Sequence, residues 1–283
     1  MDYIPTVEIS NGERMPVMIM GTFQHTSYKQ LREIVRTGIE HGFNGFDTAY
    51  DYGNEADLGS ILQECRGEFS LQREDLYLVD KIDIWQMAQN NGEVSRQIDE
   101  ALQKLNTEYL DLLLIHWPLP GYFEKTWETF IDIYNQGKAK AIGVSNVRMR
   151  HLLQLVESTG FKPHVVQNER HPLRSDSEVF GYNQSNGIVL QAYSPVCRMI
   201  EPISNSGVLK NIAKKYGKTP GQVIMRWHID TGSVPVFMTQ KTKRIKEYAG
   251  VFSFALDKNE TDIISSLDMN YKMTPESLIC PGF

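Results

Sequence analysis

The chain has little cysteine, no long apolar run and no glycine-rich phosphate turn, and each shortage removes a class of protein. Only Cys65, Cys197 and Cys280 occur in 283 residues, far apart and without a C-x-x-C pair. Neither a disulfide framework nor a zinc site is signalled, and free thiols are expected. No apolar stretch is long enough to cross a bilayer, and MDYIPTVEIS has neither a basic n-region nor an apolar h-region. No secretory leader is read, and a cytoplasmic location is expected. A net charge of -6 presents no reason to expect nucleic acid or an anionic membrane as a partner. No low-complexity stretch or linker interrupts the chain, which predicts one domain over residues 1–283.

What remains is an ordinary globular composition, 41% hydrophobic and 23% charged, enough for a sizeable core. TVEISNGERMPV opens the chain with Asn11-Gly12 between two short extended runs, the strongest local signal for a β-hairpin. Eight apolar runs follow: VMIMG at 17–21, GFDTA at 45–49, LYLVDKI at 76–82, LDLLLIH at 110–116, AIGVS at 141–145, VVQNE at 165–169, IVLQAY at 188–193 and SVPVFM at 233–238. Amphipathic segments such as SYKQLREIVRTGIEHG, EVSRQIDEALQKL, TWETFIDIYNQG and RMRHLLQLVESTG lie between them, several ending in glycine. Strands apolar on both faces and separated by helices indicate a parallel sheet. About eight units of roughly 30 residues predict an α/β fold, a (β/α)8 TIM barrel with an N-terminal β-hairpin. A doubly wound open sheet is the runner-up, and it would need the absent G-x-G-x-x-G turn.

In a barrel the functional residues sit at the C-terminal strand ends. There the sequence places Asp47 and Tyr52, Lys81, His116, Ser145-Asn146, Gln167 with Glu169, and Tyr193-Ser194. Taken singly, each has a structural explanation: an Asp can end a turn, a His can be a satisfied core residue. Together they say more. A lysine among buried apolar residues needs a carboxylate partner or loses its charge, and Asp47 on the adjacent strand is available. A phenol close to that ammonium is expected to be more acidic than its usual pKa of about 10, which suits a general acid.

The ordered stretches FDTAYDYGNE, LVDK, LLLIHWP, GKAKAIGVSN, VVQNERHP, QAYSPV and RIKEYAGVF resemble the aldo-keto reductases over nearly the whole chain. The resemblance implies a nicotinamide-dependent reduction of an aldehyde or ketone, with Asp47, Tyr52, Lys81 and His116 at the catalytic positions. His rather than Glu at 116 implies a carbonyl reductase rather than an ene-reductase. The resemblance also implies that Thr22, Asp47, Ser145, Asn146, Gln167, Tyr193, Ser194, Val196, Thr239, Arg244 and Glu247 line the cofactor site. Phe23, Tyr50, Trp85 and Trp117 would line the substrate pocket, an aromatic-walled site.

The sequence departs from the family pattern at the adenosine end. Phe237-Met238-Thr239 stands where many relatives have Pro-Lys-Ser, and Tyr248 stands where an adenine-contacting Asn is usual. Arg244 in KTKRIK remains to meet a 2′-phosphate, so NADPH is expected, with NADH or dual use open. The partner would be a small carbonyl compound, and the protein a monomer or weak homo-oligomer. The short segment HWPLPGYFEKTW and the short C-terminal MNYKMTPESLICPGF suggest a fairly open mouth. Two other readings stand beside this one: a metal-dependent barrel hydrolase using His116, His171, Asp47 and Glu169, and a non-catalytic nucleotide-binding sensor. The hydrolase reading has no His-x-His pair in the first strand to support it, and the sensor leaves four catalytic-type residues without a task.

Overall fold

The computed structural model describes residues 3–89 and 93–274. A two-stranded antiparallel hairpin, β1 Thr6–Glu8 and β2 Arg14–Pro16, precedes eight parallel strands: β3 Ile19–Gly21, β4 Gly45–Asp47, β5 Tyr77–Ile82, β6 Leu112–Ile115, β7 Ile142–Ser145, β8 Val165–Glu169, β9 Val189–Tyr193 and β10 Ser233–Phe237. They close in the order β10-β3-β4-β5-β6-β7-β8-β9, with β9 paired to β10. Each of the eight apolar runs forms one staff of the barrel. The four helices read from the sequence are present at Tyr28–Glu40, Val94–Lys104, Phe123–Asn135 and Met149–Thr159.

The hairpin tip differs from a two-residue Asn-Gly turn. Ile9 N donates to Glu13 O at 2.9 Å, leaving a three-residue tip in which Gly12 alone takes the left-handed conformation, φ 86°. That pattern is the longer hairpin with its glycine at the αL position. Its purpose is visible in packing. Ile9 and Met15 join Ile19, Tyr77, Val79, Leu112, Leu114, Ala141, Val165, Val234 and Val236 in one buried cluster, so the hairpin supplies side chains to the barrel interior.

A second, larger cluster lies between strands and helices, with Phe46, Leu78, Ile82, Leu113, Ile115, Ile142, Val144 and Val166 facing helix residues such as Leu31, Leu58, Ile98 and Phe130. Strand side chains alternate between these two clusters, as the two-residue period of a strand requires. Gly143 belongs to the inward set. A Cβ there would stand 2.2 Å from Val165 O, so only glycine permits this approach of β7 to β8.

Candidate active site

The same alternation determines which polar residues enter the barrel. Tyr77 and Val79 point inward, so Lys81 does too; Gly45 faces Ile19 and Pro16, so Asp47 follows it inward. Strand pairing then sets heights: Asp47 stands beside Val79, and Lys81 beside Leu114. Lys81 Nζ reaches Asp47 Oδ1 at 2.5 Å and Thr48 O at 2.8 Å. The lysine side chain is fully buried and that of Asp47 is 3% exposed. Burial by itself depresses a lysine pKa, but Asp47 and the Tyr52 oxygen reverse the balance and hold Lys81 above its ordinary value. Lys81 therefore keeps its charge in the neutral range.

Tyr52 ends a short 3-10 turn, Tyr50–Tyr52, and its hydroxyl lies 3.4 Å from Lys81 Nζ. The loop bearing it is held by Asn54, which was not singled out from the sequence for this task. Asn54 Nδ2 donates to Thr22 O and His25 O, and its Oδ1 accepts from the Thr48 hydroxyl and lies 3.3 Å from Thr22 Oγ1. One buried amide thus clamps the chain after β3 to the chain after β4. The expected lowering of the Tyr52 pKa is not what the structure gives. Burial of the hydroxyl pushes its pKa above the usual value; Lys81 pulls it down but is outweighed, and Asp47 adds to the rise. Lys81 arrives with its counter-charge attached, so the phenol meets a nearly neutral pair. Tyr52 is consequently a protonated acid across the neutral range, able to donate rather than already ionised.

His116 follows β6 and contacts the Tyr52 ring edge to face, with centroids 5.9 Å apart. Burial and the Lys81 charge push its pKa down to about 3, so the imidazole is neutral. Its Nδ1 is buried without a hydrogen-bond partner and lies 3.8 Å from Asp83 Oδ2, beyond hydrogen-bond reach. With the ring neutral this is no ion pair. Asp83 itself caps the helix Ile84–Ala88 by accepting from Trp85 N, and the sequence reading had not singled it out.

The opposite wall comes from β7, β8 and β9. Gln167 Nε2 donates to Asp47 Oδ2 at 2.9 Å and to Gln191 Oε1 at 2.7 Å. Ser145 Oγ donates to Gln167 O, and Asn146 Nδ2 to His116 O. Asn146 Oδ1 accepts from the half-buried Tyr193, whose hydroxyl is held well above its usual pKa by burial. Ser145-Asn146 does not start a helix: Asn146 is left-handed, φ 58°, and the next helix begins at Met149. Ser194 is also left-handed and opens the turn closed by Cys197 N, with Val196 inside it. Thr22 Oγ1 donates to Asp47 O. Ser145, Asn146 and Gln167 form a set of alcohol and amide groups beside the Tyr193 ring, which fits a nicotinamide carboxamide and its aromatic ring.

At the other end, Thr239 Oγ1 accepts from Lys241 N, and the helix Thr242–Ala249 carries Lys243, Arg244 and Lys246. Met238 is 39% exposed and offers no charge where a lysine is usual. Tyr248 does not face outward as an adenine contact. It is buried against Phe237, ring centroids 5.1 Å apart, and its hydroxyl accepts from Arg244 Nη1 at 3.4 Å. Glu247 lies 3.6 Å from Arg244 Nε and also accepts from Thr219 Oγ1. The partly exposed guanidinium is thus braced from two sides and fits an adenosine 2′-phosphate.

The aromatic residues divide. Phe23, Tyr52, His116 and Trp117 form a row with successive centroid distances of 5.1, 5.9 and 6.4 Å. Trp85 is the most exposed of the four expected pocket residues, at 58%. Tyr50 instead turns its ring to Lys104 Nζ, 5.1 Å away, on a helix outside the barrel. The metal-ligand reading loses two members: Glu169 pairs with His171 Nε2 at 3.0 Å and accepts from the backbone N–H of Met273 and Thr274. Its carboxylate holds the C-terminal segment in place. Gln191 was missed, although its parity with Tyr193 on β9 marks it as inward-facing.

With this geometry in view, the profile of the Aldo/keto reductase family matches residues 17–198 and 204–269. An uncharacterized oxidoreductase of Bacillus subtilis, YtbE, is 36% identical over 268 residues, which are 95% of this chain and 94% of that protein. Methylglyoxal reductase DkgA of Escherichia coli K12 is 32% identical over 275 residues, 96% and 97% of the two chains. The crystal structure of a Bombyx mori aldo-keto reductase, AKR2E4, in complex with NADP superposes with a TM-score of 0.90 at 28% identity, covering 97% of this chain and 96% of that one.

Proposed function

We propose a division of labour among the site residues from one premise: this chain belongs to the aldo/keto reductase family. It is an NADPH-dependent oxidoreductase that reduces an aldehyde or ketone to an alcohol. NADPH, when bound, supplies the hydride that enters the carbonyl carbon. Tyr52 donates its phenolic proton to the oxygen as negative charge builds there, and Lys81 stabilises the phenolate left behind. Asp47 keeps Lys81 charged in a fully buried position. His116, neutral, donates a hydrogen bond from Nε2 to the same oxygen and so orients the carbonyl.

Ser145, Asn146, Gln167 and Tyr193 hold the nicotinamide end; Thr22, Ser194 and Val196 border it; Thr239, Arg244 and Glu247 serve the adenosine phosphate end. The half-open rim of Phe23, Trp85 and Trp117 suits a small aldehyde, and a small 2-oxoaldehyde is the class favoured, as the Escherichia coli relative is named a methylglyoxal reductase. No helix among the described residues is long and apolar enough to cross a membrane, and we place the activity in the cytoplasm.

The observation that carries the reading is the Tyr52 hydroxyl 3.4 Å from a lysine that is itself ion-paired and fully buried. Tyr52→Phe tests it, with turnover of methylglyoxal and NADPH binding measured side by side. Turnover should fall by about 10²- to 10⁴-fold, the usual contribution of a general acid, while the nucleotide binds as before. Undiminished turnover in that variant would refute the assignment.

A further inference from the structure

The hydrogen bonds around Asp47 do not stop at Gln167. Asp47 has two carboxylate oxygens; Oδ1 takes the Lys81 ammonium and Oδ2 takes one hydrogen of the Gln167 amide. The second hydrogen of that amide goes to Gln191 Oε1 at 2.7 Å, and Gln191 Nε2 donates in turn to Met15 Sδ at 3.0 Å. Gln191 is completely buried, beside Gln167 in the strand register and with Val234 on its other side. A primary amide in an otherwise apolar interior costs several kcal/mol unless its groups are bonded. Two of its bonds are to the site and to the hairpin plug, and the thioether is a weak acceptor. The bond to Gln167 is the strong one.

Orientation is the consequence. A glutamine side chain can present either its oxygen or its nitrogen to a neighbour, and the two arrangements occupy almost the same volume. With a carboxylate on one side and the Gln191 carbonyl on the other, Gln167 can satisfy both only through Nε2. Its Oε1 is then the part left to receive a hydrogen bond from a carboxamide. Without the Gln191 acceptor, one Gln167 hydrogen has no partner in the barrel, and the rotation of that amide away from Asp47 is no longer opposed from this side.

We infer that Gln191 is a positioning residue for this reaction: by accepting from Gln167 Nε2 it fixes which end of the Gln167 amide faces Asp47 and which end is offered to the nicotinamide carboxamide. The inference rests on the assignment of Gln167 to the cofactor wall, and the test separates the two.

NADPH affinity is measured by quenching of intrinsic tryptophan fluorescence, and KM for NADPH and for methylglyoxal is measured separately, on wild type, Gln191→Met, Gln191→Glu and Gln167→Leu. Met has nearly the volume of Gln and lacks the amide oxygen; Glu keeps an oxygen acceptor and loses the donor to Met15. Gln191→Met should weaken NADPH binding by about tenfold, the scale of one buried hydrogen bond left unmade. KM for NADPH should rise with it while KM for methylglyoxal stays put, and Gln191→Glu should recover NADPH affinity to within about threefold of wild type. Wild-type NADPH affinity in Gln191→Met overturns the inference. Equal impairment of the Met and Glu variants also overturns it, because the fit against Met15 would then be what matters. If Gln191→Met does not fold, Gln191→Leu makes the same comparison with a different shape. Unchanged NADPH binding in Gln167→Leu would instead overturn the placing of Gln167 on the cofactor wall, whatever residue 191 does.

Discussion

Replacing Asp47 by Asn keeps the shape of the side chain and removes the charge that faces Lys81 Nζ at 2.5 Å. Water does not screen this pair: the two side chains are 0% and 3% exposed. Asn can turn its oxygen toward Lys81 or toward Gln167, but not toward both, so one of two buried donors loses its acceptor. Taking away one partner of a buried ion pair costs about 3–5 kcal/mol. The lower figure applies here, because Lys81 keeps Thr48 O at 2.8 Å. Unfolding entropy of about 2.1 cal/mol/K per residue over 283 residues amounts to about 0.6 kcal/mol/K. A loss of about 3 kcal/mol then lowers Tm by about 5 °C.

The pH dependence gives a sharper signature. In the wild type Lys81 is held above its ordinary pKa, so its contribution is complete at neutral pH and is lost only as pH rises through that folded value. In Asp47→Asn the main opposing charge is gone and burial depresses the lysine instead. A buried, uncompensated ammonium penalises the folded state below its unfolded pKa of about 10.4, and the penalty shrinks as pH rises toward that value. Thermal unfolding of both proteins at several pH values checks this. The Tm gap should be widest near neutrality and narrower by about pH 10. Equal Tm values at neutral pH, or a gap that does not narrow, would refute the account of a charged pair sealed in the barrel.

Two further outcomes follow from the same site. Arg244→Ala should weaken NADPH binding by about 1.5–3 kcal/mol, roughly 10- to 150-fold, and leave NADH binding within about twofold, since only NADPH carries the 2′-phosphate; parallel fluorescence titrations read both, and equal losses would remove Arg244 from that phosphate. His116 is pushed down to about 3 and Tyr52 above its usual value, so the reduction rate should be flat from about pH 5 to pH 9. An acidic limb near the ordinary histidine pKa, abolished in His116→Gln, would show that the imidazole titrates in that range.

Much of this was legible from pattern because the pattern is local. A run such as LYLVDKI carries its own inside and outside in its two-residue period, and the hydrophobic interior of the strand forces Lys81 to seek a charge. Thus eight strands, the hairpin and the pairing of Lys81 with Asp47 could be read from pattern, while the resemblance to the aldo-keto reductases, not local pattern, put Tyr52 and His116 in the same group. The position of Arg244 in a basic segment was equally readable. The fate of Tyr248 was not, because nothing local says whether a tyrosine on a helix faces a ligand or, as here, packs on Phe237 and braces an arginine.

Closure of the barrel decided the rest. Gln167 and Asp47 are 120 positions apart, and their bond exists because strands β4 and β8 face each other across the same interior. Gln191 becomes part of that network for the same reason, and Glu169 is committed to the C-terminal segment 104 positions away. The sign of the Tyr52 shift also belongs to the tertiary structure: proximity to a lysine is a property of a pair, whereas desolvation sums over everything packed around the phenol. Sequence therefore determined which groups would be present at the strand ends. The closed, buried interior determined which of them are charged, which way their amides point and what each can do.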